Sequence, residues 1–278
     1  MTGRVWFITG IARGLGHSLA QVALERGDRV IGTTRDGALP GGLSKQDLEV
    51  LPLDLGDPAS IKQALASAYA LHGRIDVLVN NAGYGLLGPV EAASDPEVRD
   101  IFNINLFAPL AVIRHALPRM RAQGCGHIVN ISSIAGIAPA PGSGIYAGTK
   151  AALSAISYAL SQEVAPFGLW VTAVEPGAFR TEFLSSRSIL RTAAHIDDYA
   201  ATSGRAVDGL LCRDGRQAGD PRLAALAILE AVEAEEPPLD LLLGSDALRR
   251  AQARLDHLDD DLRRWEDVSR STDLPETA

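Results

Sequence analysis

A single-domain, doubly wound parallel α/β sheet of about seven strands is the fold class this sequence predicts. Three observations predict it. Short apolar runs of strand length alternate with helical stretches through most of the 278 residues. The runs are apolar at consecutive positions, the pattern of strands buried on both faces. The polar residues capable of chemistry fall where these runs end, and ligands bind at the carboxyl ends of strands in such sheets.

The first unit is Val5 to Thr9, the turn Gly10-Ile-Ala-Arg-Gly-Leu-Gly16, a helix to about Arg26, and a strand from Arg29 to Thr34. Asp36 to Lys45 is too rich in Gly and Pro for a long helix. A third strand runs from Leu48 to Leu53 and ends at Asp54. Asp57-Pro58 then opens a helix as N-cap and first helical residue, ending before Gly73. Ile75 to Val79 is a fourth strand. Ser94-Asp-Pro-Glu97 forms a capping box that opens a long helix to about Arg121. His127 to Ser132 is the fifth strand, and Leu169 to Val174 the sixth. Between them lies a helix carrying Tyr146 and Lys150. Residues 178–219 are polar, aperiodic and long for a connection, which suits a substrate lid. Asp220-Pro221 caps a helix to about Ala234, and Leu239 to Leu243 is the seventh strand. A charged amphipathic helix over 245–266 is expected to lie on the body of the domain. The tail from Ser269 to Ala278 is expected to be loose.

Composition narrows the function classes. Hydrophobic residues make up 46% of the chain, enough for a sizeable core, and the formal net charge is -8. That acidic balance argues against nucleic acid or an anionic membrane as partner. No apolar segment reaches the roughly 20 residues of a membrane span. Cys125 and Cys212 stand in no metal or redox spacing, and the six His residues form no ligand pattern, so no metal is expected. Met1-Thr-Gly-Arg4 runs straight into the first strand, and the expectation is a soluble, cytoplasmic protein.

The turn between the first strand and first helix can bring backbone N–H groups and a helix N-terminus to a phosphate. Gly10, Gly14 and Gly16 allow the close approach, at a spacing other than Gly-x-Gly-x-x-Gly. The second strand ends in Thr34-Arg35 where a free ribose 2′-OH would call for an acid. Arg35, with Arg13 in the turn, can pair with a 2′-phosphate instead. Hence NADP(H) is favoured over NAD(H). Asp54 could accept from an adenine amino group or simply cap its own turn. Asn80-Asn81-Ala82-Gly83 offers small residues beside a cofactor, or an Asx turn. Tyr146 and Lys150, at i and i+4, share a helix face. An ammonium beside a phenol lowers its pKa from about 10 toward neutrality, fitting it for proton transfer.

Together these residues resemble the short-chain dehydrogenase/reductase family in its compact, classical form. The matching motifs are Thr9 to Gly16, Asn80-Asn-Ala-Gly83, Asn105, Ser133, Tyr146-x-x-x-Lys150, and Pro176-Gly177 followed by Thr181, in the family's order over residues 4–182. The resemblance implies a Rossmann-type sheet, a nicotinamide cofactor, oxidoreduction of alcohols and carbonyls, and a homodimer or homotetramer. It implies that Tyr146 is the general acid or base, that Lys150 lowers its pKa and binds the nicotinamide ribose, that Ser133 bonds the substrate oxygen, and that Asn105 holds a relay water. Gly10, Ala12, Arg13, Gly14, Leu15 and Gly16 would cradle the cofactor's phosphates. Thr34, Arg35, Asp54 and Leu55 would meet its adenosine end. Asn81, Ala82, Gly83, Pro176, Gly177 and Thr181 would line its nicotinamide end. Ala108 departs from the Gly that many members carry after the Asn.

Pro109 lies four residues after Asn105 in the same helix. It brings no N–H to the Asn105 carbonyl, so a kink is expected and the carbonyl could hold the relay water. Tyr84 to Leu87, Ile134 to Pro141, Phe179 and Phe183-Leu184 are mostly apolar, which points to a moderately bulky, uncharged alcohol or ketone. A nucleotide-binding sensor or scaffold without turnover is the alternative. The complete set Asn105, Ser133, Tyr146 and Lys150 argues for the enzyme. A sugar-nucleotide epimerase is disfavoured by the Gly spacing.

Overall fold

The fold is seen in a computed structural model that describes residues 3–274. Its first half comprises β1 (Val5–Ile8), α1 (Gly14–Glu25), β2 (Arg29–Thr34), β3 (Leu48–Pro52), α2 (Pro58–His72) and β4 (Val77–Asn80). Then come a short β5 (Gly85–Leu87), α3 (Asp95–Phe102), α4 (Ala108–Gln123), β6 (Gly126–Ile131), a one-turn α5 (Ile134–Ile137) and α6 (Gly144–Val164). The remainder is β7 (Leu169–Pro176), β8 (Ile189–Arg191), α7 (Arg205–Leu211), α8 (Pro221–Glu233), β9 (Asp240–Leu243) and α9 (Ser245–Arg270).

Seven strands pair in parallel in the order β3-β2-β1-β4-β6-β7-β9. The order reverses between β1 and β4, and at that point the strand ends open a crevice. Successive residues of β1 serve opposite faces of the sheet. Val5 and Phe7 join the layer of α2, α4 and α6, while Trp6 and Ile8 join that of α1 and α8. Both layers exclude water, which is why the inner strands read as apolar runs. Each large core side chain contributes about 1.5–3 kcal/mol by burial. The one polar atom of Trp6, its indole N–H, donates to Asp28 at 2.8 Å.

Helix ends follow the local chemistry. The Asp57 carboxylate accepts from Ala59 N–H with Pro58 in the first turn, and Gly73 closes α2 in the left-handed conformation. Ser94 and Glu97 form the reciprocal capping box of α3. Asp220 accepts from Arg222 and Leu223 N–H at the start of α8. Where a kink was expected at Pro109, the helix runs on continuously and takes up the proline with a widened turn. Residues Asn103–Phe107 form a wide π turn in which Ala108 N–H reaches back to the Asn103 carbonyl.

Some expectations are corrected. Asp95–Gln123 is one continuous helical stretch, long and apolar enough by length and composition to cross a membrane. Its apolar side, including Val112, Ile113, Ala116 and Met120, is instead buried in the core. Residues 178–219 are ordered rather than irregular. β8 pairs in parallel with β5 as a separate two-stranded ribbon, and α7 follows it. The last helix continues past 266 to Arg270, and only its first two turns touch the body. The tail expected to be loose therefore begins as helix, and residues 275–278 lie outside the described residues.

Candidate active site

The long helix, α5 and α6 bring four side chains together at the carboxyl ends of β4 and β6. Tyr146 and Lys150 sit in the first two turns of α6 and are both buried. The Lys150 ammonium reaches across to donate to the Ile131 carbonyl at 2.7 Å. Ser133 caps α5, its hydroxyl accepting from Ala135 N–H at 3.1 Å. Its neighbour Ser132 is buried and committed elsewhere, donating to the Lys150 carbonyl at 3.0 Å. That division leaves Ser133 as the hydroxyl beside Tyr146. The Asn105 amide is fully used: its oxygen accepts from Tyr84 N–H at 3.0 Å, and its nitrogen donates to Tyr84 O at 2.8 Å and to Thr149 at 3.2 Å. A β-carbon on Gly83 would lie 2.8 Å from Asn105 Oδ1 and 3.7 Å from Lys150 Nζ, so these three residues converge.

The electrostatics correct one expectation. Burial pushes the Tyr146 phenol up to about 12, and the Ser133 hydroxyl pulls only weakly the other way. Burial also lowers Lys150 to about 8. The i, i+4 spacing does put both side chains on one face. In the protein alone, however, desolvation outweighs any pull of the ammonium on the phenol, because the ammonium turns to the Ile131 carbonyl.

At the neighbouring strand ends the Gly-rich turn is built as an anion cradle. Gly14 has φ +64°, which only glycine adopts freely. Gly16 packs so closely that a β-carbon would lie 2.3 Å from Asn81 Nδ2. That Asn81 amide donates to the Thr9 and Gly10 carbonyls, both at 2.9 Å, and so fixes the turn. No side chain caps the N-terminus of α1, leaving its first N–H groups to the cleft. Ala12, Arg13, Gly14, His17, Arg180 and Thr181 line a cavity of about 560 Å³ there. Two guanidiniums and an uncapped helix end fit a phosphate-bearing cofactor.

The other predicted cofactor residues surround this cleft. Ala82 N–H donates to Thr9 Oγ1 at 3.1 Å. Leu15 and Gly10 are half-buried in the turn, and Arg35 is exposed at the end of β2. The Thr34 hydroxyl bonds Asp36 and the Ala38 carbonyl, both at 3.2 Å. Asp36 thus puts an acid close to the second strand end, two residues later than the position weighed from sequence. Its carboxyl is held low mainly by Ala38 N–H. Asp54 accepts from Gly56 N–H at 2.8 Å, its turn-capping role, with half-buried Leu55 beside it. Pro176 and Gly177 end β7. Asp246 of α9 accepts from Ala178 N–H at 3.0 Å, and a β-carbon on Gly177 would strike that carboxylate. Thr181 accepts from Phe183 N–H at 3.2 Å.

The 178–219 segment is fastened over the crevice. Arg13 donates to Ser188 Oγ at 2.9 Å and to the Arg187 carbonyl at 3.0 Å. Phe183 stacks at a tilt on Tyr146, ring centres 5.9 Å apart, and joins the apolar cluster of Leu87, Ile189 and Val207. Leu86 and Ala135 complete the apolar wall at Tyr146. Phe179, Ile134, Ile137 and Ala138, expected to line the substrate loops, pack elsewhere, the last two beside Ile134. Phe179 packs with the sheet core, and Ile134 packs against Ala247 and Ala251.

Three supporting residues escaped the sequence reading. Thr149 links Asn105 to the Tyr146 carbonyl, to which it donates at 2.7 Å. Nothing in the sequence marks such a buried threonine. Ser154 and Glu175 extend the Ser132 network, Ser154 Oγ lying 2.8 Å from Ser132 Oγ and 3.0 Å from Glu175 Oε1. Glu175 had a signal: an acid closing an otherwise apolar central strand. Among the described residues no cluster of His, Cys, Asp or Glu could hold a metal ion.

Comparison with known proteins bears on what this site does. The family model for short chain dehydrogenases matches residues 4–189. Oxidoreductase BOA17 of Botryotinia fuckeliana is 35% identical over 270 residues, covering 96% of this chain and 98% of its own. A 3-ketodihydrosphingosine reductase of Bacteroides thetaiotaomicron is 34% identical over 88% of this chain and 89% of its own. The crystal structure of a short-chain dehydrogenase from Streptomyces avermitilis superposes with a TM-score of 0.87 at 38% identity, covering 98% of this chain and 99% of that one. Two Burkholderia short-chain dehydrogenase structures, each 25% identical over 94% of this chain, hold different cofactors. That of B. cenocepacia contains NADP (TM-score 0.73, 97% of its chain covered), and that of B. phymatum contains NAD (0.79, 95%). With its seven-stranded parallel sheet, its Gly-rich turn and its Tyr146/Lys150 helix, the chain belongs to the short-chain dehydrogenase family of nicotinamide-dependent oxidoreductases.

Proposed function

We propose that the protein transfers a hydride between NADP(H) and a moderately bulky, uncharged alcohol or ketone, with Tyr146 as the general acid and base. The observation that carries this reading is the burial of Tyr146 between the Ser133 hydroxyl and the Phe183 ring, at the same sheet edge as the Gly-rich turn. When bound, the nicotinamide supplies or accepts the hydride. Ser133 holds the substrate oxygen, and Tyr146 gives it a proton in reduction or takes one in oxidation. A phenol at about 12 stays protonated at neutral pH, which suits proton donation to a carbonyl being reduced. Lys150 holds the ribose side of the cleft, and Asn105 fixes the Tyr84 loop that faces the substrate. The Asn105 carbonyl, spared an N–H by Pro109, serves the relay water.

Arg13 and Arg35 support NADP(H), while Asp36 beside Thr34, and Glu182 and Asp214 in the cavity that Arg13 lines, would oppose a 2′-phosphate. Leu86, Ala135 and Phe183 support an apolar substrate. A relative named as a 3-ketodihydrosphingosine reductase is in keeping with a ketone. We read the 178–219 segment as the substrate lid and the protein as a cytoplasmic homodimer or homotetramer. Its two exposed free thiols, Cys125 and Cys212, suit a reducing compartment. The test is NADPH and NADH consumption over a panel of ketones and aldehydes, with Tyr146→Phe as control. Turnover with NADPH that collapses in the variant is expected. Tight NADPH binding without turnover across the panel, or turnover that survives the substitution, would overturn the reading.

A further inference from the structure

α9 spans Ser245–Arg270, but only Ala247 and Ala251 are buried. Beyond Ala251 the helix leaves the body. Residues 252–270 are exposed apart from a half-buried Asp261, an arm about 28 Å long at 1.5 Å per residue. Most helical stability in proteins comes from packing an amphipathic face, and this arm packs against nothing in its own chain. It also carries a continuous apolar seam. Leu248, Leu255 and Leu262 recur at intervals of seven, and Ala251, Leu258 and Trp265 follow each three residues later. The leucines and Trp265 are 42–63% exposed. Such a seam is the pattern of helices that pair.

We propose that this arm pairs antiparallel with the α9 arm of a second copy of the chain, about a two-fold axis between Asp256 and His257. Charge selects both the partner and the register. With the axis there, Leu255 meets the partner's Leu258, and Leu248 meets the partner's Trp265. Ala251 is already covered by Ile134 of its own chain, so the partner's Leu262 lies at the edge where the arm leaves the body. Arg254 then flanks the partner's Asp261, and Gln252 flanks the partner's Asp259, each twice by symmetry. Moving the axis half a heptad on, to residue 260, would also align the seam. It would set Asp259 and Asp261 each against its own copy, which like-charge repulsion disfavours. Within each arm the pairs Asp259–Arg263, Glu266–Arg270 and His257–Asp261 run along the helix and leave the seam open. An anionic lipid surface is the poorer partner, because the arm carries four arginines against six acids.

Sedimentation equilibrium of the full chain tests this with Arg254→Asp, Asp261→Arg and the double variant. Each single change is expected to weaken one self-association step about tenfold or more, and the double to restore it. These positions are remote from the catalytic groups, so retained activity certifies the fold. A spin label at Arg270→Cys, with Cys125→Ser and Cys212→Ser, is expected to report a separation of about 40 Å across the pair. Unchanged association in both single variants, a double variant no better than either, or labels close together would each overturn the proposal. So would a chain that sediments as a monomer while binding vesicles of phosphatidylserine.

Discussion

The Lys150 ammonium donates to the carbonyl of Ile131, the last residue of β6, at 2.7 Å. This bond ties the helix of Tyr146 to the strand that leads into Ser132 and Ser133. Burial works against the charge that this bond holds and lowers Lys150 to about 8. The folded protein therefore binds fewer protons than the unfolded chain between pH 8 and 10.5, and stability rises with pH across that window. Below pH 8 the buried ammonium costs about 3 kcal/mol. Lys150→Met should remove most of this cost, less about 1 kcal/mol for the lost hydrogen bond. The expected outcome at pH 7 is a chain more stable by about 2 kcal/mol and inactive. Thermal unfolding beside a turnover assay checks it, and a Tm lower than that of the parent would count against the account.

Two other buried groups act on stability in opposite senses. Burial raises Glu175 to about 7, with the nearby Asp240 adding to the effect and the Ser154 and Tyr158 hydroxyls opposing it. Burial lowers His127 to about 4. As pH rises from 4.5 to 7, the unfolded chain releases the Glu175 proton first and stability falls. Between pH 4 and 6.5 the folded protein has already released the His127 proton that the unfolded chain still holds, so stability grows as pH rises. Each effect amounts to about 3 kcal/mol, so they largely cancel between pH 4.5 and 6.5. Glu175→Gln should uncover a rise of stability with pH in that window, and His127→Gln a fall. Urea unfolding at four or five pH values separates the two slopes.

Much of this was readable from residues, for physical reasons that differ by element. The five inner strands announced themselves because burial on both faces forces apolar runs, while the edge strands β3 and β9 are only partly buried. β5 and β8 did not, since three-residue strands carry no period and hold together through Gly85 against Ile189. The spacing of Tyr146 and Lys150 gave their shared helix face. It could not tell that the ammonium would choose the Ile131 carbonyl, a partner distant in sequence. The apolar seam of α9 was visible as amphipathicity. Periodicity shows a face that needs cover but not what covers it, so a helix lying on the body was the natural expectation. Ile134 and Phe179 were apolar residues near catalytic positions, yet their direction depends on where α9 and β9 pack.

Asn105 is the node between the Tyr84 loop and the helix of Tyr146 and Lys150. It is 1% exposed, and three bonds to Tyr84 and Thr149 consume its amide. Asn105→Ala leaves the Tyr84 N–H and carbonyl without partners in a half-buried setting, at a cost of about 1–3 kcal/mol. Thr149→Val removes only one partner of Asn105 and should cost about 1–2 kcal/mol. The milder change is the more telling one. It should lower kcat with little change in cofactor binding, because the Tyr84 loop and the Tyr146 carbonyl both lose a restraint. A Thr149→Val enzyme with parental kcat would mean that Asn105 is held well enough by Tyr84 alone.

Arg13 has two claims on its guanidinium. It donates to Ser188 and Arg187 of the segment over the crevice, and it lines the cavity at the N-terminus of α1. A 2′-phosphate in reach would compete for the same donors, and charge-assisted bonds to phosphate exceed those to a hydroxyl and a carbonyl. Arg13→Ala should therefore act twice. The segment around Arg187 should become more open to limited proteolysis in the protein alone. The KM for NADPH should rise about tenfold or more, with that for NADH nearly constant. Arg35→Ala serves as comparison, since Arg35 is exposed and fastens nothing in the crevice. It should weaken NADPH without loosening the segment. Equal losses with both cofactors in Arg13→Ala would show that the guanidinium serves only to fasten the segment, and that cofactor choice lies with Arg35 and Asp36.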